Sequence, residues 1–183
     1  TGANLTAFQD VENVTTAAGD DRLIGTNGDN VLKGGAGDDV IEGLLGDDVM
    51  DGGDGDDLLA FQENASDRTD MKTLQGGAGV DTADFDGFHS AILAVISTGA
   101  VSTRDGATLN VGSLRSIASL SAVENIVGTA FADNLFGDVS ANRIEGRDGD
   151  DIIRGGGGDD ELQGGTGVDN IDGQAGADRI FGG

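Results

Sequence analysis

The chain has 183 residues, enough for one domain or two small ones. Its 34 acidic residues against 10 basic ones give a formal charge of −24, which argues against nucleic acid as a partner, because a polyphosphate would be repelled. Cysteine is absent, so a disulfide framework and a thiolate metal site are both excluded, and no apolar run reaches the length of a membrane span.

In chain order, residues 5–14 come first, with Leu5, Phe8, Val11 and Val14 apolar. They recur at 117–126 as Ile117, Leu120, Val123 and Ile126, and both copies carry Val-Glu-Asn followed by an aliphatic residue. Each copy leads into a block of repeats, so it is expected to be the N-terminal cap that a solenoid needs.

The repeats are nine residues long. The first block reads TAAGDDRLI from Thr16, GTNGDNVLK from Gly25, GGAGDDVIE from Gly34, GLLGDDVMD from Gly43 and GGDGDDLLA from Gly52. The phase then slips between Phe61 and Gln75. The six residues from Phe61 are expected to be a surface insertion, and Asp67 to Gln75 keeps Leu74 at position 8 but has Lys72 where the acid belongs. A separate copy, GGAGVDTAD, starts at Gly76.

From Phe85 to Ser116 the repeat is absent. Ala91 to Ile96 is an apolar β-type run, and Val101 to Val111 carries a turn signal at Arg104-Asp105-Gly106. The segment is expected to be β structure joining or packing against the two blocks. The second block opens with the degenerate copies GTAFADNLF (from Gly128) and GDVSANRIE (from Gly137). GRDGDDIIR, GGGGDDELQ, GGTGVDNID and GQAGADRIF follow from Gly146. No segment has helical aliphatic spacing.

The unit has physical content. Glycine at positions 1, 2 and 4 permits positive φ and lets carbonyls converge, and the position-6 acid adds a hard oxygen. Position 8 is aliphatic and points inward, while positions 7 and 9 point outward. Leu23, Leu32, Ile41, Met50 and Leu59 form one inward series, and Leu135, Ile144, Ile153, Leu162, Ile171 and Ile180 the other. One inward aliphatic per nine ordered residues does not offset the chain entropy. The acidic chain is therefore expected to fold only with a counterion.

These residues resemble the RTX, or haemolysin-type calcium-binding, repeat family of secreted bacterial proteins, whose signature is G-G-x-G-x-D-x-U-x. The resemblance covers roughly two thirds of the chain. It implies an all-β fold, a right-handed parallel β-roll (β-solenoid), with two repeat blocks joined by a non-repeat β segment. The expected divisions are 1–84 (cap plus first roll, insertion near 61–75), 85–127 (joining segment and second cap) and 128–183 (second roll).

It also implies the ligands. Repeat n gives the carbonyls of positions 2 and 4 and its position-6 side chain; repeat n+2 gives the carbonyls of positions 1 and 3 and its own position-6 side chain. In the first block Ala17, Gly19 and Asp21 would meet Gly34, Ala36 and Asp39, and Thr26, Gly28 and Asn30 would meet Gly43, Leu45 and Asp48. Gly35, Gly37 and Asp39 would meet Gly52, Asp54 and Asp57, and Gly53, Gly55 and Asp57 would meet Gly76, Ala78 and Asp81. In the second block Thr129, Phe131 and Asp133 would meet Gly146, Asp148 and Asp151, and Asp138, Ser140 and Asn142 would meet Gly155, Gly157 and Asp160. Arg147, Gly149 and Asp151 would meet Gly164, Thr166 and Asp169, and Gly156, Gly158 and Asp160 would meet Gly173, Ala175 and Asp178. These pairs imply about eight calcium ions, which would take the net charge to about −8. Asn30 and Asn142 at position 6, and Phe131 and Ser140 at position 4, depart from the pattern and weaken their sites.

Other readings are poorer. Asp51 to Asp57 resembles an EF-hand loop but lacks its D-x-D-x-D-G start and its Glu at position 12. The glycine runs give neither G-x-G-x-x-G nor a P-loop lysine. A catalytic role for the only histidine, His89, would need an oriented partner and a nucleophile, and nothing near it suggests either. Asp38, Asp47, Asp56, Asp150 and Asp159 at position 5 are expected to be solvated acids. Position 7 is apolar in much of the first block (Val31, Val40, Val49, Leu58), through β-propensity or as a contact surface.

The expected function is a non-catalytic calcium-binding module of a larger secreted bacterial protein, extracellular or on the cell surface. By resemblance it would leave by type I secretion and fold on meeting calcium outside. The alternatives are an assembly module of a surface-layer protein or adhesin, and an accessory module of a secreted protease, lipase or polysaccharide-modifying enzyme. Expected partners are calcium and other domains of the parent protein, with self-assembly as an alternative. No signal peptide is visible, and the chain, which begins Thr-Gly-Ala, reads as a piece of a longer protein.

Overall fold

The computed structural model describes residues 12–62, 70–104 and 114–183. The first repeat block supplies β1 (Asn13–Thr15), β2 (Arg22–Ile24), β3 (Val31–Ala36), β4 (Val40–Glu42), β5 (Val49–Asp54), β6 (Leu58–Gln62), β7 (Lys72–Ala78) and β8 (Thr82–Gly87). The joining segment adds β9 (Ile92–Val95), β10 (Ala100–Arg104), β11 (Leu114–Ser121) and β12 (Asn125–Val127). The second block adds β13 (Asn134–Phe136), β14 (Arg143–Asp148), β15 (Ile152–Gly157), β16 (Glu161–Thr166), β17 (Asn170–Ala175) and β18 (Arg179–Phe181). A short 3-10 turn, Ile96–Thr98, closes on Gly99 in the left-handed region.

Alternate repeats pair in parallel, as an inward residue every nine positions requires. Val31 faces Val49 and Val40 faces Leu58, one coil being 18 residues. Across the phase slip the coil grows to 24 residues, and Met50 faces Leu74. One sheet has the order β1-β3-β5-β7-β11-β10-β9-β13-β15-β17, with β10 the one even-numbered strand in it; the other has the order β18-β16-β14-β12-β8-β6-β4-β2. The chain is thus all-β with parallel strands within each repeat block, as the fold reading expected.

Both sheets run unbroken from one block into the other. On one face β12 pairs directly with β8 and with β14. On the other face β11 lies parallel to β7 and β9 parallel to β13, while β10 runs antiparallel to both β9 and β11. Residues 117–126 therefore have strands on both sides and form an internal coil. The first copy of that motif, residues 5–14, lies mostly outside the described residues, as do Asp105 and Gly106 of the turn signal.

The core follows position 8: Leu32, Ile41, Met50, Leu59, Leu135, Ile144, Ile153 and Leu162 have no exposed surface. Ile171 is only partly buried and Ile180 is 51% exposed, because β17 and β18 are the outer strands of their sheets. Phe61, expected on the surface, is instead 1% exposed. Strand β6 continues through it, and its ring packs on Phe85 and Phe88 with centroids 5.6 and 5.3 Å away. The remainder of the expected insertion, residues 63–69, lies outside the described residues. The joining segment thickens this core with Ile92, Ala94, Val101, Ile117, Ala118 and Ile126.

Candidate metal centre

Coiling stacks the glycine-rich turns into two columns, one along each edge of the roll. Each expected pair of turns is brought together. Gly19, Gly37, Gly55 and Gly149 donate their N–H groups to the carbonyls of Ala36, Asp54, Ala78 and Thr166 at 2.6–2.8 Å. The N–H groups of Asn30, Asp133, Asn142 and Asp160 donate to Oδ1 of Asp48, Asp151, Asp160 and Asp178 at 2.8–3.1 Å.

The position-6 acids run up each column as a ladder. Asp21 N–H donates to Asp39 Oδ1 at 2.7 Å, Asp39 N–H to Asp57 Oδ1 at 2.8 Å, and Asp57 N–H to Asp81 Oδ1 at 2.9 Å. In the second block Asp151 N–H donates to Asp169 Oδ1 at 3.0 Å. One carboxylate oxygen is used in this way. The other, Oδ2 of Asp39, Asp57, Asp81, Asp151 and Asp160, is buried with no hydrogen-bond donor, as is Oδ1 of Asp21 at the start of the column.

At position 1, glycine leaves room for two converging oxygens. A Cβ on Gly34 would fall 2.0 Å from Asp39 Oδ2 and 2.7 Å from the Gly52 carbonyl oxygen. The carboxylate oxygen and a carbonyl of the next coil therefore converge over a bare α-carbon. Positions 2 and 4 bring in the preceding coil: Gly53 (φ 116°) and Gly55 (φ 137°) lie directly over the carbonyl oxygens of Gly35 and Gly37. At three of the position-2 places without glycine, Leu44, Arg147 and Gln174 also take a positive φ, a conformation such residues adopt at a cost.

A buried carboxylate oxygen with no donor is costly unless a cation meets it. Burial, aided by neighbouring acids, pushes Asp57 and Asp151 up to about 6, and raises Asp39, Asp81 and Asp160 as well. Calcium takes six to eight hard oxygens in flexible geometry, and the donors gathered here are at most two carboxylates and several carbonyls per turn pair. Among the described residues no three acidic or histidine side chains converge, so carbonyls must supply most ligands. The residues fit the ion.

The departures from the pattern have local explanations. Asn30 Oδ1 accepts the Thr26 N–H at 2.6 Å, and Asn142 Oδ1 accepts the Asp138 N–H at 2.9 Å, so each amide closes its own turn. Both oxygens of Asp133 are engaged, Oδ1 by the Ile92 N–H at 2.7 Å and Oδ2 by the Thr129 N–H at 2.7 Å; burial pushes its carboxyl up to about 7. Phe131 is 44% exposed, and its N–H donates to Thr129 Oγ1 at 3.1 Å. Arg147 sends its side chain to Asp86 at 2.9 Å, tying its turn to the joining segment.

Three features escaped the sequence reading. The position-5 acids are exposed, yet they are anchored as well as solvated: Asp38 accepts the Asp56 N–H at 2.9 Å, and Asp29, Asp56, Asp150 and Asp159 act likewise toward the next coil. Lys72 occupies a position-6 place with its ammonium 2.5 Å from Asp48 Oδ2. Glu124, outside any repeat, receives the Asp81 N–H at 2.9 Å. A sequence signal existed for Glu124, since the Val-Glu-Asn motif places an acid just before a strand. His89 is exposed.

Folds of this kind, with hard oxygens gathered at stacked turns, define a metal-binding parallel β-roll. A family model, the RTX calcium-binding nonapeptide repeat, matches in four copies at residues 15–50, 24–59, 127–162 and 154–183. Together these span more than half of the chain, which belongs to this family and is a calcium-binding repeat module. The family's repeats are typical of secreted bacterial proteins. No curated protein matches the chain.

Proposed function

We propose that the chain is the calcium-binding module of a larger secreted bacterial protein, exported unfolded by type I secretion and folded by calcium outside the cell. The observation that carries this reading is the set of buried carboxylate oxygens without a donor along both blocks. In cytosol, with little free calcium, those charges oppose coiling; outside, the ion joins them, and folding and binding become one process. About eight ions, one for each stacked pair of turns, complete the roll. The non-repeat coil from Phe85 to Val127 lets the two blocks coil as one body.

Far-UV circular dichroism of the metal-stripped chain, before and after calcium, tests this. The expected result is little β signal without calcium and a full β spectrum with it; a native-like spectrum in excess chelator overturns the reading. A second reading, calcium-driven assembly, draws support from the outward residues Val31 and Val49 on one sheet and Val40 and Leu58 on the other, all half-buried side by side. Light scattering that rises with calcium would favour it.

A further inference from the structure

The joining segment carries an acid that continues the metal column where the repeats stop. Asp81 N–H donates to Glu124 Oε2 at 2.9 Å, the same bond that Asp39 N–H makes to Asp57 and Asp57 N–H makes to Asp81. Strand register agrees: Thr82 faces Asn125, so the residues before them, Asp81 and Glu124, stand at equivalent places.

The carbonyl that a repeat would supply is also present. In the regular coil Gly165 N–H donates to the Gly182 carbonyl at 3.0 Å, and here Gly77 N–H donates to the Ala122 carbonyl at 3.3 Å. A Cβ on Gly76 would meet both the Ala122 carbonyl oxygen, at 1.9 Å, and Asp81 Oδ2, at 2.4 Å. The two oxygens thus converge over a bare α-carbon, as they do at Gly34. Asp81 has no exposed surface, and its Oδ2 has no donor. Ala122, at φ 47°, turns its carbonyl this way in a loop far shorter than a repeat turn.

We infer that Asp81 and Glu124, with the carbonyls of Gly77, Gly79 and Ala122, hold a further calcium ion that clamps the first repeat block to the joining segment. Water completes the six to eight oxygens calcium takes. Asp81 is then shared between two ions, and the column on this edge passes through the join to Asn142, whose Nδ2 donates to the Glu124 carbonyl at 2.7 Å. The inference rests on the calcium reading above.

Native mass spectrometry of the whole chain at saturating calcium counts the ions. Glu124→Gln keeps an oxygen for the Asp81 N–H but removes the charge, and is expected to bind one ion fewer than the parent with its β spectrum intact. Glu42→Gln, on an outward acid paired with Arg22, should leave the number unchanged. Glu124→Asp should recover the missing ion at higher calcium; if it binds no more ions than Glu124→Gln, the charge has no role and the inference falls. A parent chain that takes up no calcium overturns both this inference and the reading it rests on. A parent that binds ions, with a Glu124→Gln variant that binds as many, overturns this inference alone.

Discussion

The ammonium of Lys72 lies 2.5 Å from Asp48 Oδ2 and 2.9 Å from the Gly46 carbonyl oxygen, and both side chains are completely buried. Gly46 and Asp48 hold positions 4 and 6 of their repeat, the places whose oxygens elsewhere face a cation. The chain has supplied this cation covalently. Its ammonium also sits 5.3 Å from the centre of the Phe61 ring, so the charge is held between acid, carbonyl and aromatic face. Beyond it the column turns apolar, with Ala118 and Ile92 both buried before Asp133 resumes the acids.

Lys72→Met keeps the length of the side chain and removes its charge, leaving the buried Asp48 carboxylate without a counter-ion, held only by the Asn30 N–H. Burial already pushes Asp48 up to about 6 against the opposing pull of Lys72. The expected loss is about 3–5 kcal/mol, the range for breaking a buried pair from one side. Lys33→Met, whose half-exposed pair with Asp51 spans 2.8 Å, should lose at most about 1 kcal/mol. Denaturant unfolding at saturating calcium compares the two, and equal losses would show that Lys72 is not a buried counter-ion.

Glycines of neighbouring repeats should differ sharply. Gly34→Ala drives a methyl group into Asp39 Oδ2, whereas a Cβ on Gly28 finds only Thr26 Oγ1, at 3.9 Å, and Gly28 is not among the positive-φ glycines. Gly34→Ala is expected to raise the calcium midpoint of folding by about tenfold or more, equivalent to about 1.4 kcal/mol. Gly28→Ala should stay within the ordinary surface range of about 0.5 kcal/mol. A calcium titration of each variant decides it; an unchanged midpoint for Gly34→Ala would mean that the turn can open without loss of its ligands.

The stacked turns were legible because a nine-residue period fixes which residues share an edge. Asp39, Asp57 and Gly53 could be placed from spacing together with the family's n, n+2 rule. Glu124 could not be placed by the nonapeptide, because its loop from Ala122 is too short to carry it; the Val-Glu-Asn motif marks an acid before a strand, and the strand register with Thr82 gives its place. Phe61 was misread because a broken period looked like an excursion, while a buried aromatic side chain had extended β6 by the outward-inward alternation of a strand. The antiparallel β10 was equally hidden: pairing direction is set by chain return and not by composition. The anchoring of the position-5 acids needs neighbouring coils, which no single repeat contains.

Without metal, stability should depend on pH in the sense opposite to most acidic domains. The carboxyls of Asp57 and Asp151 rise to about 6, and that of Asp133 to about 7, from an ordinary 3.8, chiefly through burial. A raised carboxyl favours the coiled state while protonated, so its contribution is complete below the ordinary value and is lost as pH climbs through 6–7. The metal-stripped chain should therefore show more β signal at pH 5 than at pH 8. With calcium the order reverses, since the ion requires ionised carboxylates. Circular dichroism at both pH values, with and without calcium, would reveal a wrong sign directly.

The working range of calcium follows from the ligand set. Each stacked pair offers at most two carboxylates, the rest being neutral carbonyls, and Asn30 and Asn142 lower the charge further at two turns. Low ligand charge and a turn ordered only on binding both weaken affinity, so the folding midpoint is expected at about 10⁻⁴–10⁻³ M, the range of extracellular calcium modules. Asp39, Asp57, Asp151 and Asp160 each stand between two stacked turns, so one ion prepares the place of the next and the transition should be steep. Magnesium should substitute poorly, because it demands octahedral geometry and sheds water reluctantly. A titration followed by circular dichroism gives midpoint and slope together. A submicromolar midpoint would mean that the chain already folds in the cytosol, and export in the unfolded state would lose its physical basis.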